Sequence, residues 1–174
     1  TEFVEIELAE PMEVEKAALA LDAALPRGIR VLAADAVDTH HAALMSQAAG
    51  ASYRVTLPYS KDVSAAVAEF NAAPELLFKK AAPKTKAKFK EIDVKFYIPQ
   101  LTAEQTEKET IFSFDCKITP TGSMKAVDLL NALNEQYGLE LPVEMADIER
   151  LRLYRNNKNG KPIPMLNSDA VTLG

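Results

Sequence analysis

Between residues 52 and 155 the apolar side chains switch twice from recurring at every second position to every third or fourth, and a layered α+β arrangement accommodates that switch. Tyr53, Val55 and Leu57 alternate with Arg54 and Thr56, the pattern of a half-buried strand, which Pro58 closes. Val63, Ala66, Val67 and Phe70 follow at helical spacing behind Ser60, a capping residue type, in a helix that stops before Pro74. Residues 76–80 form the next expected strand. Ile92, Val94, Phe96 and Ile98 present one apolar face of another, with Asp93, Lys95 and Tyr97 opposite. Residues 101–109 are polar and turn-like. Phe112, Phe114, Cys116 and Ile118 then line one side of a strand whose other side carries Ser113, Asp115 and Lys117. Ser123 is expected to cap a second amphipathic helix with Val127, Leu130 and Leu133 inward and Gly138 as its terminator. A proline-containing link over 139–145 leads to a last strand over 148–154.

This order of strand, helix, three strands, helix and strand suits an α+β fold, a ferredoxin-like split βαβ sandwich with one extra hairpin strand. The chain before it reads as a partial second unit. Val4, Ile6 and Leu8 alternate with Phe3, Glu5 and Glu7. Val14, Ala18, Leu21 and Leu25 repeat at helical spacing behind Pro11 until Pro26 and Gly28, and residues 29–34 are a short strand. The expected organisation is therefore a strand-helix-strand unit over 1–36, a connecting helix over 37–51 ended by Gly50, a ferredoxin-like domain over 52–155 and a flexible tail over 156–174, where Asn-Lys-Asn-Gly and Pro-Ile-Pro show no period.

Composition narrows the chemistry. Apolar residues make up 48% and charged ones 26%, so a folded core rather than disorder is expected. No apolar run approaches the ~18 residues that would cross a bilayer, and the first residues lack the basic and apolar regions of a signal peptide. Neither an initiator Met nor a leader precedes the alternating run, as expected of a segment cut from a longer chain. A single cysteine points to a reducing compartment, so the expected location is cytoplasmic, with no membrane partner.

The net charge is -5, yet residues 79–95 hold seven lysines (Lys79, Lys80, Lys84, Lys86, Lys88, Lys90 and Lys95) against Glu91 and Asp93, a local excess of five positive charges. Lys84, Lys86, Lys88 and Lys90 fall at every second position, so on an extended hairpin they would face one way and offer point charges to phosphates, with Phe89, Phe96 and Tyr97 available for stacking. Arg150, Arg152 and Arg155 near the last strand could extend that patch or pair with the many acids. The competing role is a solvated edge that lysine keeps from aggregating.

Other candidates favour structural roles. Cys116 falls on an apolar strand face as a small hydrophobe. His40 and His41 are adjacent and so point about 100° apart on a helix, unlike an i, i+4 ligand pair, and with Asp35 and Asp38 nearby they read as a solvated helix start that Asp38 caps. Residues 121–125 place Gly122 and Ser123 before a helix but lack the glycine and lysine spacing of a phosphate loop. Asp93 is expected to pair with a neighbouring lysine. No catalytic, metal-binding or cofactor-binding residue is assigned.

Residues 2–8, 25–31, 53–57, 90–95 and the stretch from Gly122 to Arg150 resemble, in this order, the radical-SAM-linked proteins, a bacterial domain encoded beside or fused to a radical S-adenosylmethionine (SAM) protein. The resemblance implies a radical SAM protein as partner. It also implies an N-terminal portion with Ser-His-Leu-Asp and Gly-Phe-Asn-Pro-His segments, neither of which stands in this sequence. One cysteine cannot supply the three thiolates that hold a radical SAM cluster. The expected function is an accessory module of a radical SAM system that contacts RNA or another anionic substrate through the lysine hairpin. Two alternatives stay open: a piece of an enzyme whose catalytic residues lie upstream, and a purely protein-interacting domain.

Overall fold

The computed structural model describes residues 2–38, 40–81 and 88–173, which form two compact units: residues 48–154, and residues 2–47 together with 155–173. Lys84 and Lys86 lie outside the described residues.

The first segment of the second unit carries α1 (Val14–Ala24), β1 (Ala33–Ala34) and α2 (Leu44–Gln47). Leu25 precedes a proline, whose ring disfavours helical backbone in the residue before it, and Leu25 is accordingly extended with ψ 148°. The Asp22 carboxylate of α1 then accepts the Val31 amide at 2.8 Å and Arg30 Nε at 3.0 Å, folding the Pro26–Gly28 turn back onto the helix. Among the described residues no strand pairs with the alternating run at residues 2–8, which is not itself a strand, and Val4 stays 74% exposed. Residues 29–34 supply only the two-residue β1.

The compact unit 48–154 opens with β2 (Ala48–Leu57) and α3 (Ser64–Ala72). The expected connecting helix shrinks to α2, and Gly50 is no terminator: it lies within β2, paired with Lys117. Asp62, not Ser60, holds the start of α3, accepting the Ser64 amide at 2.9 Å. Next comes a two-stranded ribbon, β3 (Leu77–Ala81) and β4 (Phe89–Asp93), followed by the single turn α4 (Val94–Tyr97). The strand expected to continue through Ile98 thus stops at Asp93, whose carboxylate accepts the amides of Lys95 at 3.0 Å and Leu76 at 3.1 Å. The expected polar turn after residue 101 is instead β5 (Leu101–Gln105), an edge strand that pairs antiparallel with β6 (Thr110–Thr119). The short β7 (Gly122–Ser123) folds back on β6, so Ser123 is a strand residue, and α5 (Ala126–Tyr137) begins three residues later. Gly138 terminates α5 with φ 62°, a backbone that favours glycine. A 3₁₀ turn at Val143–Met145 leads to β8 (Asp147–Asn156).

The sheet order is β5-β6-β2-β8. The crossover from β2 through α3 to β5 straddles β6, and the crossover from β6 through α5 to β8 straddles β2, which is the interleaving of a ferredoxin-like split βαβ fold. The β3–β4 ribbon is the extra hairpin, inserted after α3 as a sheet of its own. Antiparallel register sets Ala51 opposite Cys116, Val55 opposite Phe112 and Leu57 opposite Thr110 on the inner sheet face. There they meet Phe70, Leu129, Leu130 and Leu133, all essentially fully buried. Each such side chain contributes about 1.5–3 kcal/mol relative to an exposed one.

Two helices, α3 and α5, are also each stitched to a later stretch of chain by an asparagine. Asn71 donates to the Leu101 carbonyl at 2.7 Å and accepts the Leu101 amide at 2.9 Å. Asn134 does the same for Leu141, at 3.0 and 2.7 Å. Both leucines are buried, so each amide side chain stands in for an absent strand partner.

The second unit closes with residues expected to be a loose tail. The chain turns through Asn157–Gly160 into β9 (Pro162–Pro164), then β10 (Val171–Thr172) pairs antiparallel with β1, Thr172 opposite Ala33. Met165 is buried there. Asn167 donates from its amide side chain to Asp35 at 2.7 Å and accepts Arg155 Nη2 at 2.8 Å.

Candidate anion-binding groove

The ribbon sets the geometry of the lysine-rich segment. Its register places Phe78 opposite Ile92, Lys79 opposite Glu91, Lys80 opposite Lys90 and Ala81 opposite Phe89. Phe78 and Ile92 are buried, which fixes one ribbon face against the core and sends Lys80 toward α5. Lys80 Nζ lies 2.6 Å from Asp128 Oδ2, and both side chains are mostly shielded from solvent. Two lysines directly opposite one another repel, and Asp128 compensates one of them. The same carboxylate oxygen accepts the Lys125 amide at 3.1 Å and so occupies the start of α5, where a phosphate would otherwise approach.

A groove of about 700 Å³ runs between the ribbon and α5, lined by Phe78, Lys79, Lys80, Phe89, Lys125, Asp128, Asn131, Asn134 and Glu135. Sequence reasoning placed Lys79 and Lys80 here but missed Lys125 and Asn131, which reach the site from α5. A solvent-facing lysine before the helix and an asparagine one helical turn beyond its start are the signals that could have found them.

The described lysines do not make a single row. Lys88 adopts φ 58°, which breaks the strand alternation at the mouth of the ribbon, while Lys88 and Lys90 are exposed. Lys95 turns away altogether: its ammonium sits 4.5 Å from the Phe70 ring centre and donates to the Pro99 carbonyl at 2.6 Å. Partial burial pulls its pKa down from the usual lysine value, with Asp93 opposing. It anchors α4, and Asp93 uses its carboxylate on backbone amides.

Arg152 joins a different surface. It projects from the outer sheet face, with its guanidinium over the Tyr154 ring at 5.5 Å and Nη2 3.4 Å from Ser52 Oγ. Ser52 in turn donates to Asp115, its cross-strand neighbour. Strand alternation puts Arg150 on that same face. Arg155 spends its guanidinium on Gln47 Oε1 at 3.3 Å, the Pro164 carbonyl at 3.2 Å and Asn167, within the second unit.

Cys116 is 2% exposed, and burial raises its thiol pKa, the behaviour of a core residue rather than a nucleophile. His41 is more constrained than a solvated helix start. Its Nε2 lies 2.5 Å from Glu5 Oε1 and its Nδ1 2.6 Å from the Asp38 carbonyl, while Glu5 also accepts the Leu44 amide at 3.0 Å. Two acceptors at the two ring nitrogens favour the doubly protonated imidazolium. Asp38 accepts the His40 amide at 2.7 Å, a local cap. Among the described residues, no group of three His, Cys, Asp or Glu side chains is arranged to hold a metal ion, and no helix is long and apolar enough to cross a membrane.

The sequence profile that decides the relationship covers residues 1–132. The chain belongs to the DUF2344 family, uncharacterised proteins conserved in bacteria. No curated protein and no solved structure matches the chain. The DUF2344 match takes in the whole β3–β4 ribbon and the first half of α5, hence most of the groove-lining residues.

Proposed function

We propose that this DUF2344 chain is a non-catalytic accessory module that works beside a radical SAM protein and holds RNA in the groove between the β3–β4 ribbon and α5. The observation that carries the proposal is the lining of that groove by Lys79, Lys125, Phe89 and Asn131 beside the Lys80–Asp128 pair and Glu135. Ammonium groups neutralise phosphates, and aromatic rings and amides supply the contacts that bases accept. The radical SAM half of the proposal is supported by the sequence resemblance.

The RNA half is tested by fluorescence anisotropy with a labelled mixed-sequence RNA across a salt series. Binding should weaken linearly in the logarithm of salt, and replacing Lys84, Lys86 and Lys88 by glutamate should lower affinity by roughly tenfold or more. Binding that is absent or indifferent to salt removes RNA as the substrate. The partner half is tested by co-purification with a radical SAM protein of the same bacterium. Co-purification that survives deletion of residues 82–88, with no RNA bound, would make the chain a protein-docking module instead.

A further inference from the structure

We infer that residues 3–8 of the second unit are an open strand edge that pairs with an extended segment of another polypeptide, one in which apolar residues alternate with lysine and arginine. The groove plays no part in it. The second unit has little core of its own: among its described residues Ala18, Leu44 and Met165 are buried, whereas nine large apolar side chains stand exposed. A unit of this size needs a continuous buried core to hold its shape. The most regular of its exposed apolar runs lies at its start, where Val4, Ile6 and Leu8 are 74, 54 and 46% exposed. These three alternate with Phe3, Glu5 and Glu7, the period of a strand. The main chain of residues 3–8 makes no hydrogen bond among the described residues. Unpaired backbone with strand periodicity is a template for a further strand.

Glu5 fixes the segment from one side. Its carboxylate accepts the Leu44 amide at 3.0 Å and lies 2.5 Å from His41 Nε2. Along a strand, Glu5 and the three apolar side chains point to opposite faces, so this clasp leaves the apolar face open. Charge decides the occupant. From Glu2 to Glu15 the chain carries six glutamates and no lysine or arginine. A second copy is disfavoured, because antiparallel registers centred on residue 5 or 6 set Glu5 opposite Glu5 or Glu7 of the other copy, and like charges directly opposite repel. A strand that turns lysine or arginine toward Glu7 and apolar side chains toward Val4, Ile6 and Leu8 satisfies both faces and supplies the missing ladder.

The experiment measures, by fluorescence anisotropy, binding of the full chain to a labelled peptide about nine residues long that alternates valine with lysine and arginine. One control peptide has the same composition with the alternation scrambled, and another has glutamate in place of every basic residue. The alternating basic peptide should bind about tenfold tighter than either control. Hydrogen exchange followed by NMR should then show protection at every second amide of residues 3–8, the signature of a strand paired along one edge. Ile6→Ser should lower affinity roughly tenfold, and Glu7→Lys should narrow the preference for the basic over the glutamate peptide. Both side chains are exposed, so thermal unfolding of either variant should match the parent and exclude misfolding as the cause. Absence of binding, equal binding of the scrambled peptide, full affinity in Ile6→Ser, or unprotected amides at residues 3–8 overturns the inference. So does protection of those amides in the chain alone that grows with its concentration, which would make a second copy the occupant.

Discussion

Glycine inside a strand costs about 0.5–1 kcal/mol relative to alanine, so Gly50 within β2 calls for a reason. The reason is Tyr154, whose ring and hydroxyl occupy the place where a Cβ would stand. Gly50→Ala should therefore destabilise the chain by about 1–3 kcal/mol in urea denaturation, through overpacking, and combining it with Tyr154→Ala should cost less than the sum of the two single changes. Nothing local to Gly50 reveals this role, because the alanine-rich context imitates a helix end while the tyrosine lies far along the chain. Cys116 is the opposite case, since its place in the alternation with Phe112 and Phe114 is enough to put it in the core.

The clasp of His41 with Glu5 belongs to the same scale. Glu5 raises the His41 pKa chiefly through their hydrogen bond, and the bond lowers the Glu5 pKa in return. The histidine contribution is complete below its ordinary value near 6.5 and is lost as pH rises through the raised one, whereas the glutamate contribution is lost as pH falls through its lowered value. The clasp is intact between the two. An NMR titration should place the His41 midpoint above the ordinary value, and Glu5→Gln should bring it down toward that value. A midpoint indifferent to Glu5→Gln would show that the two side chains do not interact in solution.

Among the elements, α4 shows where alternation misleads. Ile92, Val94 and Ile98 are all buried, which satisfies a strand pattern, yet the chain coils after Asp93. Four residues are too few for period two and period 3.6 to be told apart, and the deciding contact is the Asp93 carboxylate bridging the Leu76 and Lys95 amides. Asp93→Ala should cost about 1–2 kcal/mol in denaturant unfolding, by removing a cap and leaving the Leu76 amide without its acceptor. The strand β5 was obscured for another reason. An edge strand needs only one inward face, here Leu101 and Ala103, and its outward residues read as a polar loop. The second half of β2, the long strands β6 and β8 and the helices α1, α3 and α5 were legible because many residues repeat one period. At the groove, the ribbon lysines and Phe89 could be read from their spacing, while Lys125 and Asn131 carry only weak local signals, because tertiary packing is what brings them to the ribbon.

For the molecule as a whole, the residues after Arg155 complete a unit begun more than a hundred positions earlier. β10 supplies the partner of β1, and Arg155, Asn167 and Asp35 form a continuous hydrogen-bonded chain. Truncation after Asn156 should leave amide protection in residues 48–154 near that of the intact chain while residues 2–47 become sensitive to limited proteolysis, since their strand pairing and the Met165 contacts are gone. Equal protease resistance of both segments would refute that division. The order of synthesis follows from the same pairing of Ala33 with Thr172. On a ribosome, residues 48–154 emerge as one contiguous stretch and can collapse by themselves, whereas residues 2–47 must wait, exposed to chaperones and proteases, until translation delivers their partners more than a hundred positions later.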